Sequence, residues 1–203
     1  MKRLICVLAA LLCSGCAWTT ESIDVPYERA RVDASTPVAG ANSVQVSVQG
    51  TDSREANRDR VSSKKNGFGM EGAPITATND VAATVGRALS DELAERGFRI
   101  GPGKVAVTVA IRRFYSDFKI GFWAGDAIAD FDAEVIVKDN LGRVLLTKSY
   151  AAQGAEPNIQ LAIGANARAA LMRAMSAGVS RIVNDPDFIA ALFAAEKSGP
   201  STT

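Results

Sequence analysis

The chain has 203 residues, with 23 Lys and Arg against 22 Asp and Glu, three cysteines and no histidine. That length supports about one domain around a single core. The absence of imidazole excludes every mechanism that uses histidine as acid, base or metal ligand, and the near-neutral charge gives no electrostatic reason to expect a nucleic-acid partner.

Lys2 and Arg3 precede an apolar run over residues 4–12, and Cys13, Ser14, Gly15 and Cys16 follow. A charged start, a short apolar stretch and small residues before a cleavage point describe a secretory signal. The run is too short to span a bilayer, which takes roughly 20 residues. Ser14-Gly15-Cys16 resembles the end of the bacterial lipobox, whose cysteine is acylated; the leucine usual three places earlier is here Cys13, with Leu12 one place further back. The expectation is a signal peptide over residues 1–15 and lipidation at Cys16. All three cysteines lie in or beside this segment, so cleavage and acylation leave no thiol for a disulfide, a nucleophile or a zinc site. Two or more acyl chains anchor stably where one binds only marginally. Cleavage also takes Lys2 and Arg3 from the 23 basic residues, leaving 21 against 22 acidic ones and a net charge of −1. Ala17, rather than aspartate, follows the cysteine. By resemblance to enteric-type lipoproteins, this favours the periplasmic face of the outer membrane over the inner membrane.

Residues 16–40 show no persistent period and read as a lipidated terminus and tether, part of it able to dock. A single domain is expected over residues 41–197, then a loose tail at 198–203. Residues 43–49 alternate, with Val44, Val46 and Val48 inward, which predicts a half-buried strand. Residues 51–75 are polar and Gly-bearing and predict a long loop. Thr78 or Asn79 is placed to cap a helix running to about Arg96 on the spacing of Val81, Val85, Ala88, Leu89 and Leu93, with Gly97 as its stop. Residues 98–100 resume extended chain. Val105, Val107, Val109 and Ile111 mark a second strand, residues 127–138 a third, and residues 143–150 a fourth after a turn at 139–142. A long amphipathic helix is predicted over 158–183, its stripe beginning at Ile159 and Ile163, and a short one over 187–196. This order predicts an α+β fold: a mostly antiparallel sheet of about four strands with two main helices packed on one face.

The first strand ends in Asp52-Ser53-Arg54, a Gly-containing loop and a helix follow, and Leu93 to Phe98 forms a Leu-x-x-x-Gly-Phe step before a long Val-rich strand. Together with the lipobox, this arrangement resembles the YajG family of uncharacterised bacterial lipoproteins over most of residues 1–185. It is also similar to small periplasmic lipoprotein domains that assist envelope transport, such as LptE-like and ABC-transport auxiliary lipoproteins. The resemblance implies a location and a fold rather than an activity.

Between the second and third strands lie Phe114, Tyr115, Phe118, Phe122 and Trp123. Exposed on a hairpin, such residues mark a partner or membrane contact; turned inward, they close one end of the core. Asp52 and Arg54 follow a buried strand, where loops often carry function, or they form an ordinary surface pair of little energetic weight. Asp130, Asp132 and Glu134 share a strand face at ~6.5–7 Å spacing, in the range of an inverting glycosidase pair, although a solvated strand face explains them more simply. Their spacing lacks the turn glycine of a calcium loop. The basic loop from Arg54 to Lys65 offers a contact for anionic lipid or glycan, but with Asp52, Glu55 and Asp59 in the same stretch a mixed solvated loop explains it more simply. Gly164, Ala167, Ala170, Ala174, Ala177 and Gly178 line one helix and serve close packing, on the chain's own sheet or in a dimer. The expected function is a non-enzymatic, lipid-anchored periplasmic domain that binds or scaffolds an envelope protein or glycan. The alternatives are an accessory subunit of an envelope transport system and a carboxylate-based cell-wall hydrolase. No catalytic residue, metal or cofactor is expected.

Overall fold

A computed structural model describes residues 19–29, 36–121 and 123–198; Cys16 and Phe122 lie outside the described residues. In chain order the elements are β1 (Glu21–Ile23), a 3-10 turn (Ala41–Ser43), β2 (Gln45–Asp52), β3 (Ser62–Lys65), β4 (Glu71–Ala77), α1 (Val81–Glu95), β5 (Arg99–Ile100), β6 (Val105–Lys119), β7 (Gly125–Lys138), β8 (Val144–Ile159), α2 (Gly164–Val183) and α3 (Pro186–Lys197). The fold is α+β, but the sheet has eight strands rather than about four, and it is mixed rather than mostly antiparallel. β6 is the spine. β7 pairs antiparallel along its whole length, and β8 pairs antiparallel with β7. On its other edge β6 takes β2 in parallel along its first half and meets β3 at Ser62–Ser116 in its second. The parallel pairing has a topological cause. The chain passes from β2 to β6 by way of α1, and a helical crossover brings the chain back in its original direction, whereas a hairpin reverses it. Of the remaining strands β1, β3 and β5 are short, and the polar Ser-Ser-Lys-Lys of β3 has no hydrophobic period to reveal it.

The helices cover one face. α1 packs on β2, α2 on β7 and β8, and α3 reaches β6, β7 and β8. That face supplies the core: Val105, Val107, Val109 and Ile111 of β6, and Ala127, Ala129, Phe131, Ala133, Val135 and Val137 of β7, all buried. A register shift between Ile111 and Arg113 breaks the alternation, so that Phe114 continues the inner face while Arg112 and Arg113 both lie exposed. Two strand glycines set how closely the helices approach. A Cβ on Gly50 would lie 1.8 Å from the Ala82 carbonyl oxygen of α1, and one on Gly154 would lie 2.3 Å from both Ala170 O and Ala174 N of α2. The small residues of α2 serve this packing: Ala167, Ala170 and Ala174 are fully buried, and Gly178 stands against the Phe131 ring.

Three boundaries differ from the sequence expectation. Asp80, not Thr78 or Asn79, caps α1, its carboxylate accepting from Ala83 N at 3.0 Å. Asn79 instead holds the N-terminal segment, accepting from Val25 N (2.9 Å) and donating to Val25 O (3.0 Å). The helix predicted from residue 158 begins at Gly164: β8 continues through Ile159, and Asn158 has a left-handed φ of 59°. The stretch read as a tether also contributes to the domain. β1 pairs with β4, Ile23 and Val25 are buried, and the buried carboxylate of Glu92 accepts from Tyr27 Oη (2.7 Å) and Arg29 Nε (2.6 Å). Asp185 caps α3 and gathers Tyr150 Oη (2.6 Å) and Lys148 Nζ (2.7 Å).

Candidate functional site

The Asp52–Arg54 pair forms where β2 leaves the sheet. Arg54 is buried and engages Asp52 at two points, Nε donating to Oδ1 (2.9 Å) and Nη2 to Oδ2 (2.8 Å). Its other donors go to main-chain carbonyls: Nη1 to Asn57 O (3.1 Å) and Nη2 to Arg58 O (3.2 Å). The guanidinium therefore gathers the 54–60 loop around itself, and its bidentate fork is suited to that task. The Arg54 hydrogen bonds hold the Asp52 carboxyl below its usual range, outweighing the effect of burial. With those donors turned inward, the arrangement organises a loop.

Asp130, Asp132 and Glu134 line the sheet face that the helices leave open. Glu134 is ion-paired with Arg112 and Asp130 with Arg113, each at 2.7 Å, and Gln153 Nε2 also donates to Asp130 (2.8 Å). The recess of about 470 Å³ beside them is lined by Ser53, Glu55, Asn57, Arg112, Arg113 and Tyr115, not by those acids. Two of the three acids are thus taken up by arginines, and all three stand on the strand face rather than in the recess.

Of the aromatic segment, Phe114 and Phe118 are buried, and Phe114 meets Phe131 edge-on at 6.4 Å between centroids. Trp123, at the β6–β7 hairpin end, is 85% exposed. It lines a recess of about 290 Å³ with Gly67, Ile120, Gly125 and Leu161. Gly67 belongs to the β3–β4 turn, which carries Phe68 (90% exposed) and Met70 (60%), and Leu161 (64%) lies between β8 and α2. Three connections thus converge on one apolar end. Lys65 ties them together: it pairs with Asp117 (2.6 Å), donates to Phe118 O (2.9 Å) and bridges to Ala162.

The pattern of the uncharacterized lipoproteins matches residues 32–192 of this chain. The chain belongs to that family of YajG-type lipoproteins. The match begins beyond residue 16, so it does not rest on Cys16. No curated protein matches the lipoprotein. Among solved structures it is similar to a Xanthomonas campestris protein of family DUF330, with TM-score 0.52 and 13% identity over 81% of this chain and 92% of that one. It is also similar to a minor lipoprotein of Acinetobacter baumannii, with TM-score 0.40 and 8% identity over 69% of this chain and 87% of that one. The first likeness shows a shared fold. No helix among the lipoprotein's described residues is long and apolar enough to cross a membrane.

The sequence singles out Trp123 but not the apolar residues the fold brings beside it. Phe68 and Met70 lie in a stretch read as a polar loop, where two large apolar residues in Gly67-Phe68-Gly69-Met70 were the available signal. Leu161 and Ile163 were absorbed into a helix that starts at Gly164.

Proposed function

We propose that this lipoprotein is held by lipid on the periplasmic face of the outer membrane and acts as a non-enzymatic binding or scaffolding domain whose contact surface is the apolar end. The observation that carries the reading is the crowding of exposed apolar side chains there. Of ten large hydrophobics exposed among the described residues, six are at this end: Phe68, Met70, Ile120, Trp123, Leu161 and Ile163. Scattered exposed apolar residues are ordinary, whereas a contiguous group marks an interaction site. The inward-turned Arg54 and the ion-paired strand acids favour binding over turnover, and Ala17 favours the outer membrane.

The test is a photo-crosslinking amino acid placed at Phe68 in the full chain, irradiated in intact cell envelopes. Covalent adducts to any envelope component, absent when the probe is placed at exposed Lys138, are expected. Equal labelling at the two positions would remove the basis for a binding surface.

A further inference from the structure

The apolar end and the start of the domain lie together. β1 runs parallel to β4, with Glu21 opposite Ile75 and Ile23 opposite Ala77, and β4 begins at Glu71, directly after the turn that carries Phe68 and Met70. Followed backwards from Glu21, the chain therefore heads toward that turn. Glu21 confirms the placement: it pairs with Lys64 of β3 (3.3 Å), and a Cβ on Gly164, the neighbour of Ile163, would fall 2.4 Å from its Oε1. The described chain starts at Thr19. Three peptide links separate Thr19 from Cys16, and consecutive Cα atoms are at most ~3.8 Å apart, so Cys16 lies within ~11 Å of Thr19 by whatever path. A lipidated Cys16 cannot enter a bilayer without bringing this end of the domain to the membrane surface.

We infer that the apolar end is a bilayer-docking surface: Phe68, Met70, Trp123 and Leu161 enter the interface of the leaflet that holds the acyl chains of Cys16. The inference rests on the proposed anchored binding domain and names the partner of its contact surface. The chemistry fits a lipid interface. Indole and phenyl rings are favoured at the boundary between headgroups and acyl chains, and apolar groups lying in that boundary bury ~5–10 Å deep. Lys119, exposed beside the hairpin end, stands at headgroup level, where an ammonium reaches phosphate while its stem stays apolar. The short link to the anchor keeps the effective concentration of membrane high, so individually weak apolar contacts suffice. Docking at several points also fixes orientation: the domain stands on the bilayer, and the far end, with Leu141 and Val144 exposed, faces away from it.

The chain has two tryptophans, Trp18 and Trp123. Trp18→Phe leaves Trp123 as the reporter in the full lipidated protein, which is placed in phospholipid vesicles with or without brominated acyl chains and with no other protein present. The expected result is a blue-shifted Trp123 emission that loses at least half its intensity to the bromolipid, with Phe68→Ser plus Leu161→Ser removing most of that quenching. Acrylamide accessibility of the same indole, measured on the same vesicles, is expected to fall by twofold or more relative to the protein in detergent-free buffer after cleavage of the anchor peptide. Emission and accessibility typical of water, with no bromolipid quenching, would overturn the inference. If the Phe68 crosslinks of the preceding test persist in that case, the end binds an envelope protein or glycan instead; if they too are absent, both readings fall.

Discussion

Phe118 and Trp123 stand five residues apart in one aromatic segment, and alanine at each should have effects of very different size. Phe118 is 2% exposed, and removing a buried phenyl costs ~3–5 kcal/mol, since both its transfer energy and a cavity are involved. In a domain of this size 1 kcal/mol moves the melting temperature by ~2–4 °C, so Phe118→Ala should lower it by roughly 6–20 °C. Trp123 is 85% exposed, leaving about one seventh of its surface covered. For a side chain of ~250 Å² that is ~35 Å², worth at most ~1 kcal/mol at ~25 cal/mol per Å². Trp123→Ala should therefore shift melting by no more than ~4 °C. Thermal unfolding followed by circular dichroism separates the two. Equal losses for both variants would mean that the indole belongs to the core, and the apolar end would then not be a free surface.

Arg54→Ala should cost ~2–4 kcal/mol, because it strands main-chain carbonyls of the loop; the cost is below that of a fully buried pair because the Asp52 side chain is 38% exposed. Arg54→Lys should recover less than half of this in denaturant titrations, since an ammonium cannot span both Asp52 oxygens and the loop carbonyls, and hydrogen exchange should speed up over residues 53–61. Gly154→Ala should cost ~3 kcal/mol or more, because its clash is with the α2 backbone rather than with a movable side chain; a fall of less than 3 °C in melting temperature would contradict that packing. For pH, burial pushes the Asp185 carboxyl up, but hydrogen bonds from Lys148 and Tyr150 outweigh it and hold it low, as Arg54 does for Asp52. Their contribution is present above the unfolded carboxylate value of ~4 and is lost as pH falls below it, through the lowered folded values. Burial, reinforced by Glu92 at Tyr27 and Asp185 at Tyr150, raises both phenols above their ordinary 10.0. The unfolded chain ionises first, so stability declines as pH rises past ~10, and Tyr150→Phe should flatten that alkaline limb in melting curves taken across pH.

The sequence by itself determined the elements whose signal is local. Alternating valines at 44–48 and 105–111 and the helical spacing from Val81 to Leu93 place core-facing strands and a helix because periodicity alone sorts side chains between core and water. The missing imidazole likewise excluded histidine chemistry without any structure. The tertiary structure decided what depends on pairing. Direction along β2 and β6 follows from the α1 crossover, and β1, β3 and β5 exist only because β4, β6 and β2 supply partners for chains too short or too polar to announce themselves. Arg54 looked like a surface cation and is buried, because a loop without its own ladder needs donors for its carbonyls. Phe118 and Trp123 look alike as residues in a sequence; the side of the sheet on which each falls, and the convergence of Phe68, Leu161 and Trp123 from three distant connections, depend on contacts between segments that no local period encodes.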